Sequence, residues 1–147
     1  MSKEIRFNAF AMNCVGHMAP GLWRHPRDRS ERYVDLNYWT DLARLLERGK
    51  FDGLFLADVL GPYDVFRGSA DAAIHSGIQI PVNDPLLLVS GMATVTEHLG
   101  FGVTCSLTYE HPYSFARRAQ RTLSATYPGA LSGRRIAARE RFCGKAC

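Results

Sequence analysis

The spacing of hydrophobic and polar positions changes along the chain and predicts three short strands. Apolar and polar side chains alternate over residues 5–10, which is typical of a strand with one buried face. Two later segments, a short apolar run between Gly53 and Asp58 and residues 101–106, are more continuously apolar. Strands of a parallel sheet are covered on both faces and have such uninterrupted runs. The pattern therefore predicts a buried parallel sheet.

Helical spacing of apolar positions predicts three helices between and after these strands. The first runs from Asp35, a preferred N-cap residue, to Gly49, a residue type that commonly ends helices. The second covers residues 85–98 with Asp84 as its N-cap, and the third covers residues 113–123. Strands and helices that alternate in this order predict an α/β fold with parallel strands and right-handed crossovers.

Each predicted strand leads at its carboxyl end into polar side chains, and the loops over residues 12–35 and 61–83 are unusually long. Long loops in compact domains often serve a site. Parallel α/β folds bind ligands at the carboxyl edge of the sheet, where such loops converge. We therefore expect one site that draws on three groups of residues: Asn13, Cys14 and His17; Asp58 and Tyr63; and Thr104, Ser106 and Thr108.

The composition is that of a folded, single-domain protein, with 46% hydrophobic and 22% charged residues in a chain of 147. The apolar runs are all shorter than the roughly 20 residues of a membrane-spanning helix. No signal peptide is recognisable, and the irregular spacing of the four cysteines favours reduced thiols over a disulfide framework. We expect a soluble, cytoplasmic protein with no membrane partner.

The net charge of +4 is concentrated near the carboxyl end, where residues 117–147 carry eight basic side chains against one acidic side chain. A basic segment is compatible with nucleic-acid binding, which would be salt-sensitive and would be lost on deletion of that segment. This segment has neither a nucleic-acid-binding motif nor a helical stripe of charge, so we expect no nucleic-acid partner.

Eight segments of the sequence, in order, resemble the amino-terminal part of flavin-dependent monooxygenases. The resemblance is to the nitrilotriacetate monooxygenase component A branch of the bacterial luciferase-like superfamily, and most closely to its long-chain alkane and dimethyl sulfide monooxygenases. It runs from about residue 5 to residue 118. The matching segments are residues 8–10, 12–17, 21–26, 35–40, 46–52, 55–59, 79–85 and 108–113.

The resemblance implies the βαβαβα opening portion of a TIM (β/α)8 barrel. It also implies an enzyme that receives reduced FMN from a separate NAD(P)H-dependent flavin reductase. With O2, the reduced flavin would insert one oxygen atom into a small organic substrate of the alkane or sulfide type. Full-length members of such a family are expected to form homo-oligomers.

The resemblance also assigns roles to individual residues. Asp58 and Thr104 match positions at the flavin. The positions on the substrate side, which are the catalytic candidates, are Cys14, His17, Tyr63 and Gln79. Hydroxyl, amide and thiol groups can hydrogen-bond a flavin without adding charge, while apolar neighbours exclude water.

Each of these residues also has an ordinary structural interpretation. Asp58 is equally well explained as a helix N-cap or a turn residue. Cys14 can be a small buried hydrophobic side chain, and His17 a hydrogen-bonded loop residue. Cys14 and His17 can begin a zinc site, but no second close pair completes the ligand set, and no metal is expected. Thr104 suits any strand.

The sequence departs from the family pattern after Arg118. We hypothesise a partial barrel domain over residues 1–118 and a divergent basic tail over residues 119–147 that is unrelated or out of frame. About three of eight barrel strands would then be present, so we expect a truncated fragment that binds FMN weakly and has little activity alone. A non-catalytic remnant or interaction module is the alternative.

Overall fold

One parallel sheet organises the chain. A computed structural model describes residues 5–16, 21–59, 61–105, 109–126 and 136–139. Within these residues the sheet has four strands in the order β1, β2, β3, β4, and each neighbouring pair is parallel. The strands are β1 (Asn8–Met12), β2 (Gly53–Ala57), β3 (Gly100–Thr104) and β4 (Ile136–Arg139). The predicted α/β fold with parallel strands is confirmed.

Helices occupy the connections between the strands. The α-helices are α1 (Leu36–Arg48), α2 (Asp71–Ser76), α3 (Leu86–Ala93) and α4 (Pro112–Thr126). Short 3-10 helices at Leu22–Arg24, Ser30–Val34 and Phe66–Gly68 lie in the loops after β1 and β2. In the part of the chain that the structure describes, no helix combines the length and the apolar character needed to cross a membrane.

Helix α1 forms where its sequence signals predict it. The Asp35 carboxylate accepts a hydrogen bond from the backbone N–H of Asn37 at 2.9 Å, which satisfies one of the free donors of the first turn. At the other end the N–H of Gly49 donates to the carbonyl of Leu45 at 2.9 Å. Both ends of this helix are therefore fixed by residues close in sequence.

The main core lies between the sheet and helices α1 and α3. Alternate residues of β2, Leu54 and Leu56, are buried in it together with Phe101 and Val103 of β3. The helices contribute Trp39, Ala43, Leu46, Leu86, Val89 and Met92. The intervening residues of β2 lie on the other face of the sheet. There Ala57 packs with Met12 and Cys14 in a second, smaller cluster. This second cluster lies at the carboxyl ends of β1 and β2.

Helix α3 is shorter than predicted, and the expected end at residue 98 is wrong. It stops at Ala93, and the hydroxyl of Thr96 donates to the carbonyl of Met92 at 3.1 Å. The backbone N–H groups that a longer helix would use internally are occupied by another partner, because the Glu47 carboxylate accepts hydrogen bonds from three of them. A side chain about fifty residues away in sequence therefore occupies the N–H groups of residues 97–99, which a helix reaching residue 98 would need.

Other boundaries also differ from those predicted. Strand β1 begins at Asn8 rather than at residue 5, and the loop predicted over residues 61–83 contains α2. Helix α4 continues to Thr126, and β4 pairs with β3 inside the segment expected to be a divergent tail. The prediction of about three strands is therefore one strand too few. Whether residues 119–147 are out of frame stays a prediction.

Candidate functional site

The strand register brings three polar segments to the same edge of the sheet. Met12 lies opposite Ala57, and Leu56 lies opposite Val103, so the three strands end at nearly the same level. Asn13 and Cys14 follow β1, Asp58 follows β2, and Thr104 is the last residue of β3. These residues therefore meet at the carboxyl edge, as the parallel topology predicts.

Gln79 reaches this edge because its loop is hydrogen-bonded to the loop after β1. The N–H of Gln79 donates to the carbonyl of Val15 at 3.0 Å, and the N–H of Asn83 donates to the carbonyl of Asn13 at 3.0 Å. Gln79 is buried and has a φ of 59°, in the left-handed region that non-glycine residues rarely adopt. Such conformations persist where surrounding structure imposes them, often at functional sites.

Two buried polar atoms at this edge have no hydrogen-bond partner among the described residues. They are Oδ1 of Asn13 and Oγ1 of Thr104, on side chains that are 2% and 8% exposed. A buried polar atom without a partner costs about 1–3 kcal/mol. The fold therefore holds an acceptor and a hydroxyl in a state that a polar ligand would relieve.

The Cys14 thiol is held in its protonated form. Burial, and secondarily the nearby charge of Asp58, raise the pKa of Cys14 from its ordinary 9.0 to about 11. A thiolate, not a thiol, is the nucleophile and metal ligand in cysteine chemistry. At neutral pH Cys14 therefore serves as a weak hydrogen-bonding group and an apolar wall.

Asp58 is a half-buried carboxyl group whose surroundings disfavour its charge. Burial raises the pKa of Asp58 first, and the negative charge of Asp84 raises it further. A hydrogen bond involving Val59 and the positive charge of Arg118 act in the opposite direction. The first helical turn after Asp58 in the described residues begins at Phe66, so Asp58 does not cap a helix there. A perturbed carboxyl group at a ligand-binding edge is a typical functional-site feature.

Arg118 links the loops around this edge. Its guanidinium donates to Asp84 and to Glu110, at 2.8 Å in each case. The sequence identified Asp84 only as a helix cap, and it gave no role to Arg118. No local signal could have found this pair, because 34 residues separate its members.

Not every predicted site residue joins the group. Tyr63 lies on the loop after β2 and is 57% exposed, so it adds nothing to the buried cluster of Cys14, Met12 and Ala57. His17, Ser106 and Thr108 lie outside the described residues. Within the described ranges, no three His, Cys, Asp or Glu side chains are grouped so as to hold a metal ion.

Comparison with known proteins places the chain in a family. Residues 10–129 match the family model described as luciferase-like monooxygenase. The chain therefore belongs to the luciferase-like monooxygenase family. Its solved neighbours in that family are TIM-barrel enzymes, so the sheet corresponds to the amino-terminal portion of such a barrel.

Individual relatives are similar over most of this chain but over a small part of their own length. The chain is 67% identical over 118 residues to the long-chain alkane monooxygenase of Geobacillus thermodenitrificans, covering 80% of this chain and 27% of that protein. It is 58% identical over 118 residues to the dimethyl-sulfide monooxygenase of Hyphomicrobium sulfonivorans, covering 80% of this chain and 25% of that protein. The chain thus spans about a quarter of these relatives.

Solved structures show the same correspondence in three dimensions. The crystal structure of long-chain alkane monooxygenase superposes with a TM-score of 0.85 at 60% identity, covering 96% of this chain and 31% of that chain. A riboflavin lyase crystallised with modified FMN and riboflavin superposes with a TM-score of 0.78 at 30% identity, covering 95% of this chain and 30% of that one.

Proposed function

We propose that the chain forms the amino-terminal part of the flavin site of an FMNH2-dependent monooxygenase. Its substrate would be an apolar or sulfur-containing small molecule of the alkane or sulfide type. The observation that carries the proposal is the 67% identity to a long-chain alkane monooxygenase over 118 residues, which make up 80% of this chain. At that level of identity the polar residues of the edge are expected to keep their roles.

The residues of the carboxyl edge fit a flavin. The partnerless hydroxyl of Thr104 can donate to a ring nitrogen or carbonyl, and the partnerless Oδ1 of Asn13 can accept from a ring N–H. Asp58 would bind from the end of the central strand β2. When bound, reduced FMN supplies the activation of O2 that inserts one oxygen atom into the substrate. The protein residues orient the ring and exclude water from it.

The substrate side would be formed by the other predicted residues. Cys14, protonated and buried, supplies an apolar surface next to Met12 and Ala57. Gln79 offers a buried amide on the loop tied to the β1 loop. His17 and Tyr63 would complete this side as catalytic candidates, Tyr63 from its exposed loop position. An alkane or a sulfide needs such a mostly apolar pocket with few polar groups.

The partners of the complete system follow from the same chemistry. A separate NAD(P)H-dependent flavin reductase would supply reduced FMN, and O2 would be the second substrate. Subunits of the full-length enzyme would assemble as homo-oligomers in the cytoplasm. In isolation the 147-residue chain would bind FMN weakly, because a sheet with β1 and β4 at its outer edges leaves the site open to water. A submicromolar dissociation constant in a fluorescence titration would contradict this.

A segment exchange tests the proposal independently of the stability of the isolated chain. The aligned 118-residue segment of the Geobacillus enzyme is replaced by the corresponding residues of this chain. With FMN, NADH, a flavin reductase and O2, the chimera should convert a long-chain alkane at a rate within about tenfold of the parent, measured by gas chromatography. Asp58→Asn in the chimera should lower turnover by roughly 100- to 1,000-fold, as removal of one positioned electrostatic group does.

The matched control is Asp41→Asn, which removes an exposed carboxylate on α1, and turnover should then be unchanged. A chimera that folds and binds FMN but oxygenates neither an alkane nor dimethyl sulfide would contradict the proposal. That result would favour the alternative of a non-catalytic remnant or interaction module.

A further inference from the structure

Arg118 holds two carboxylates from different loops at the carboxyl edge. Its Nη1 donates to Oδ2 of Asp84 and its Nη2 donates to Oε2 of Glu110, at 2.8 Å in each case. Asp84 precedes α3, and Glu110 precedes α4. A planar guanidinium with two nitrogens engaged fixes direction as well as distance, so the two loops are held relative to one another.

Asp84 also forms hydrogen bonds with the start of α3 and with the loop after β1. Its Oδ1 accepts from the N–H of Leu86 at 2.9 Å, which caps α3. Its backbone carbonyl accepts from Nδ2 of Asn13, on the loop after β1, at 3.4 Å. Arg118, on α4, therefore binds a residue that contacts both the β1 loop and the start of α3.

We propose that Arg118 is a positioning residue of the carboxyl-edge site, which acts on Asp58 by holding and neutralising Asp84 and Glu110. The role of this arrangement in a flavin enzyme rests on the proposed function. The effect on Asp58 does not, because it depends only on the charges of this chain.

The charges of Asp84 and Arg118 support a link between Arg118 and Asp58. Asp84 raises the pKa of Asp58, and Arg118 lowers it. The same groups act on the neighbouring Cys105 thiol, whose pKa is raised by burial and by acidic neighbours and lowered by Arg118. The titratable and charged groups that influence one another's pKa here, among the described residues, are Cys14, Asp58, Asp84, Cys105, Glu110 and Arg118.

An isolated surface ion pair would not change the pKa of a neighbouring carboxyl group in the way that Arg118 changes that of Asp58. Arg44 and Asp41 form such a pair at 3.0 Å within α1, and both side chains are largely exposed. Pairs of that kind contribute little to a structure. Arg118 differs because it engages two acids from two loops, and because one of those acids acts on a half-buried carboxyl group.

Titration of the Asp58 carboxyl group tests the proposal in the full chain. Carbon-13 chemical shifts of side-chain carboxyl groups are followed against pH for wild type, Arg118→Gln, Arg118→Lys, Asp84→Asn and the control Arg44→Gln. Arg118→Gln should shift the Asp58 midpoint upward, because Asp84 and Glu110 lose their counter-charge. Arg118→Lys should restore the midpoint toward wild type, and Arg44→Gln should leave it unchanged.

Asp84→Asn gives a second, independent measurement. Asparagine keeps an acceptor oxygen for the N–H of Leu86 while removing the charge, so α3 stays capped and the Asp58 midpoint should fall. An Asp58 midpoint that moves in neither Arg118→Gln nor Asp84→Asn would overturn the proposal, even if thermal stability changes. Because no flavin is needed, this titration can fail while the chimera retains turnover, and the two hypotheses are thereby separated.

Discussion

The two edges of the sheet each carry an aspartate beside β2, and the pKa values of these two carboxyl groups are shifted in opposite directions. At the amino edge, the Asp52 carboxylate accepts from the N–H of Phe7 at 2.8 Å and from Nη1 of Arg6 at 2.9 Å, and these donors lower the pKa of Asp52. At the carboxyl edge, burial and a neighbouring carboxylate raise the pKa of Asp58. The amino edge therefore stabilises the charge of Asp52, whereas the carboxyl edge disfavours the charge of Asp58.

The amino edge is arranged to hold strands and turns together. The backbone of Asp52 donates to the carbonyl of Phe7 and accepts from the N–H of Gly100, which links β2 to the residues that lead into β1 and to β3. Nearby, one oxygen of Glu47 accepts from the N–H groups of Glu97 at 2.7 Å and Leu99 at 3.2 Å. Both of these carboxylates of the amino edge are therefore hydrogen-bonded within the fold.

The carboxyl edge leaves polar groups unbonded instead. Oδ1 of Asn13 and Oγ1 of Thr104 are buried without a partner in the described part of the chain. In parallel barrels, the amino edge is the face concerned with stability and the carboxyl edge is the face concerned with function. Stability has therefore been given up at the edge where a ligand is expected, and it is kept at the edge where none is expected.

The largest expected effect is the unreactivity of Cys14. A pKa of about 11 instead of 9.0 lowers the thiolate fraction near neutral pH by roughly 100-fold, and burial limits access further. Alkylation of Cys14 by iodoacetamide should therefore be at least about 100-fold slower in the folded chain than in denaturant. Mass spectrometry of the Cys14 peptide measures both rates. Equal rates would show that the carboxyl edge does not bury this thiol.

The second effect is the intolerance of the amino edge to added volume. A Cβ on Gly53 would lie 2.6 Å from Oδ1 of Asn8 and 3.3 Å from the carbonyl oxygen of Gly100. The exposed Asn8 amide can move away, but the Gly100 carbonyl belongs to the backbone of β3. Gly53→Ala should therefore destabilise the chain by about 1 kcal/mol, as mild overpacking does, measured by urea unfolding. Gly61→Ala, in the loop on the carboxyl side, meets nothing within 4 Å and should change stability little. Similar losses in both variants would remove this distinction.

The third effect is a gain in stability at the carboxyl edge. Thr104→Val replaces a partnerless buried hydroxyl with a methyl group of similar size, which should stabilise the chain by about 1 kcal/mol. Thr40→Val is the matched control, because the Thr40 hydroxyl donates to the carbonyl of Asn37 at 3.1 Å and its removal should cost stability. A loss in Thr104→Val as large as that in Thr40→Val would show that the Thr104 hydroxyl has a partner.

Features that depend on neighbouring residues could be predicted from the sequence. The start and end of α1 follow from Asp35 and Gly49, whose hydrogen bonds reach only a few residues along the chain. The convergence of Asn13 and Asp58 follows from parallel topology, because strands that run the same way must end at the same edge. The assignment of Gln79 to the site, in contrast, came from the family resemblance.

Features that depend on distant partners could not be predicted. Glu47 binds the backbone where α3 was expected to continue, and Arg118 binds Asp84. Each of these contacts joins residues more than thirty positions apart. Strand β4 lies beyond residue 129, where the match to the family model ends, yet its backbone pairs with β3. Hydrogen bonding between parallel strands depends on the backbone, so a departure from the side-chain pattern did not exclude a strand there.

The smallest expected effect is on the pH dependence of stability, where the two edges should give slopes of opposite sign. The pKa of Asp52 is lowered on folding, so its contribution is present above its ordinary value of 3.8 and is lost as the pH falls through the folded pKa. The pKa of Asp58 is raised, so its contribution is present below 3.8 and is lost as the pH rises through the folded pKa.

Thermal unfolding of wild type, Asp52→Asn and Asp58→Asn between about pH 3 and about pH 7 separates these contributions. The stability advantage of wild type over Asp52→Asn should shrink as the pH falls, since Asp52 then takes up a proton and loses its interaction with Arg6. The advantage over Asp58→Asn should shrink as the pH rises, since a half-buried carboxyl group is then forced to ionise. Slopes of the same sign would mean that the two edges do not differ in how they hold a carboxylate.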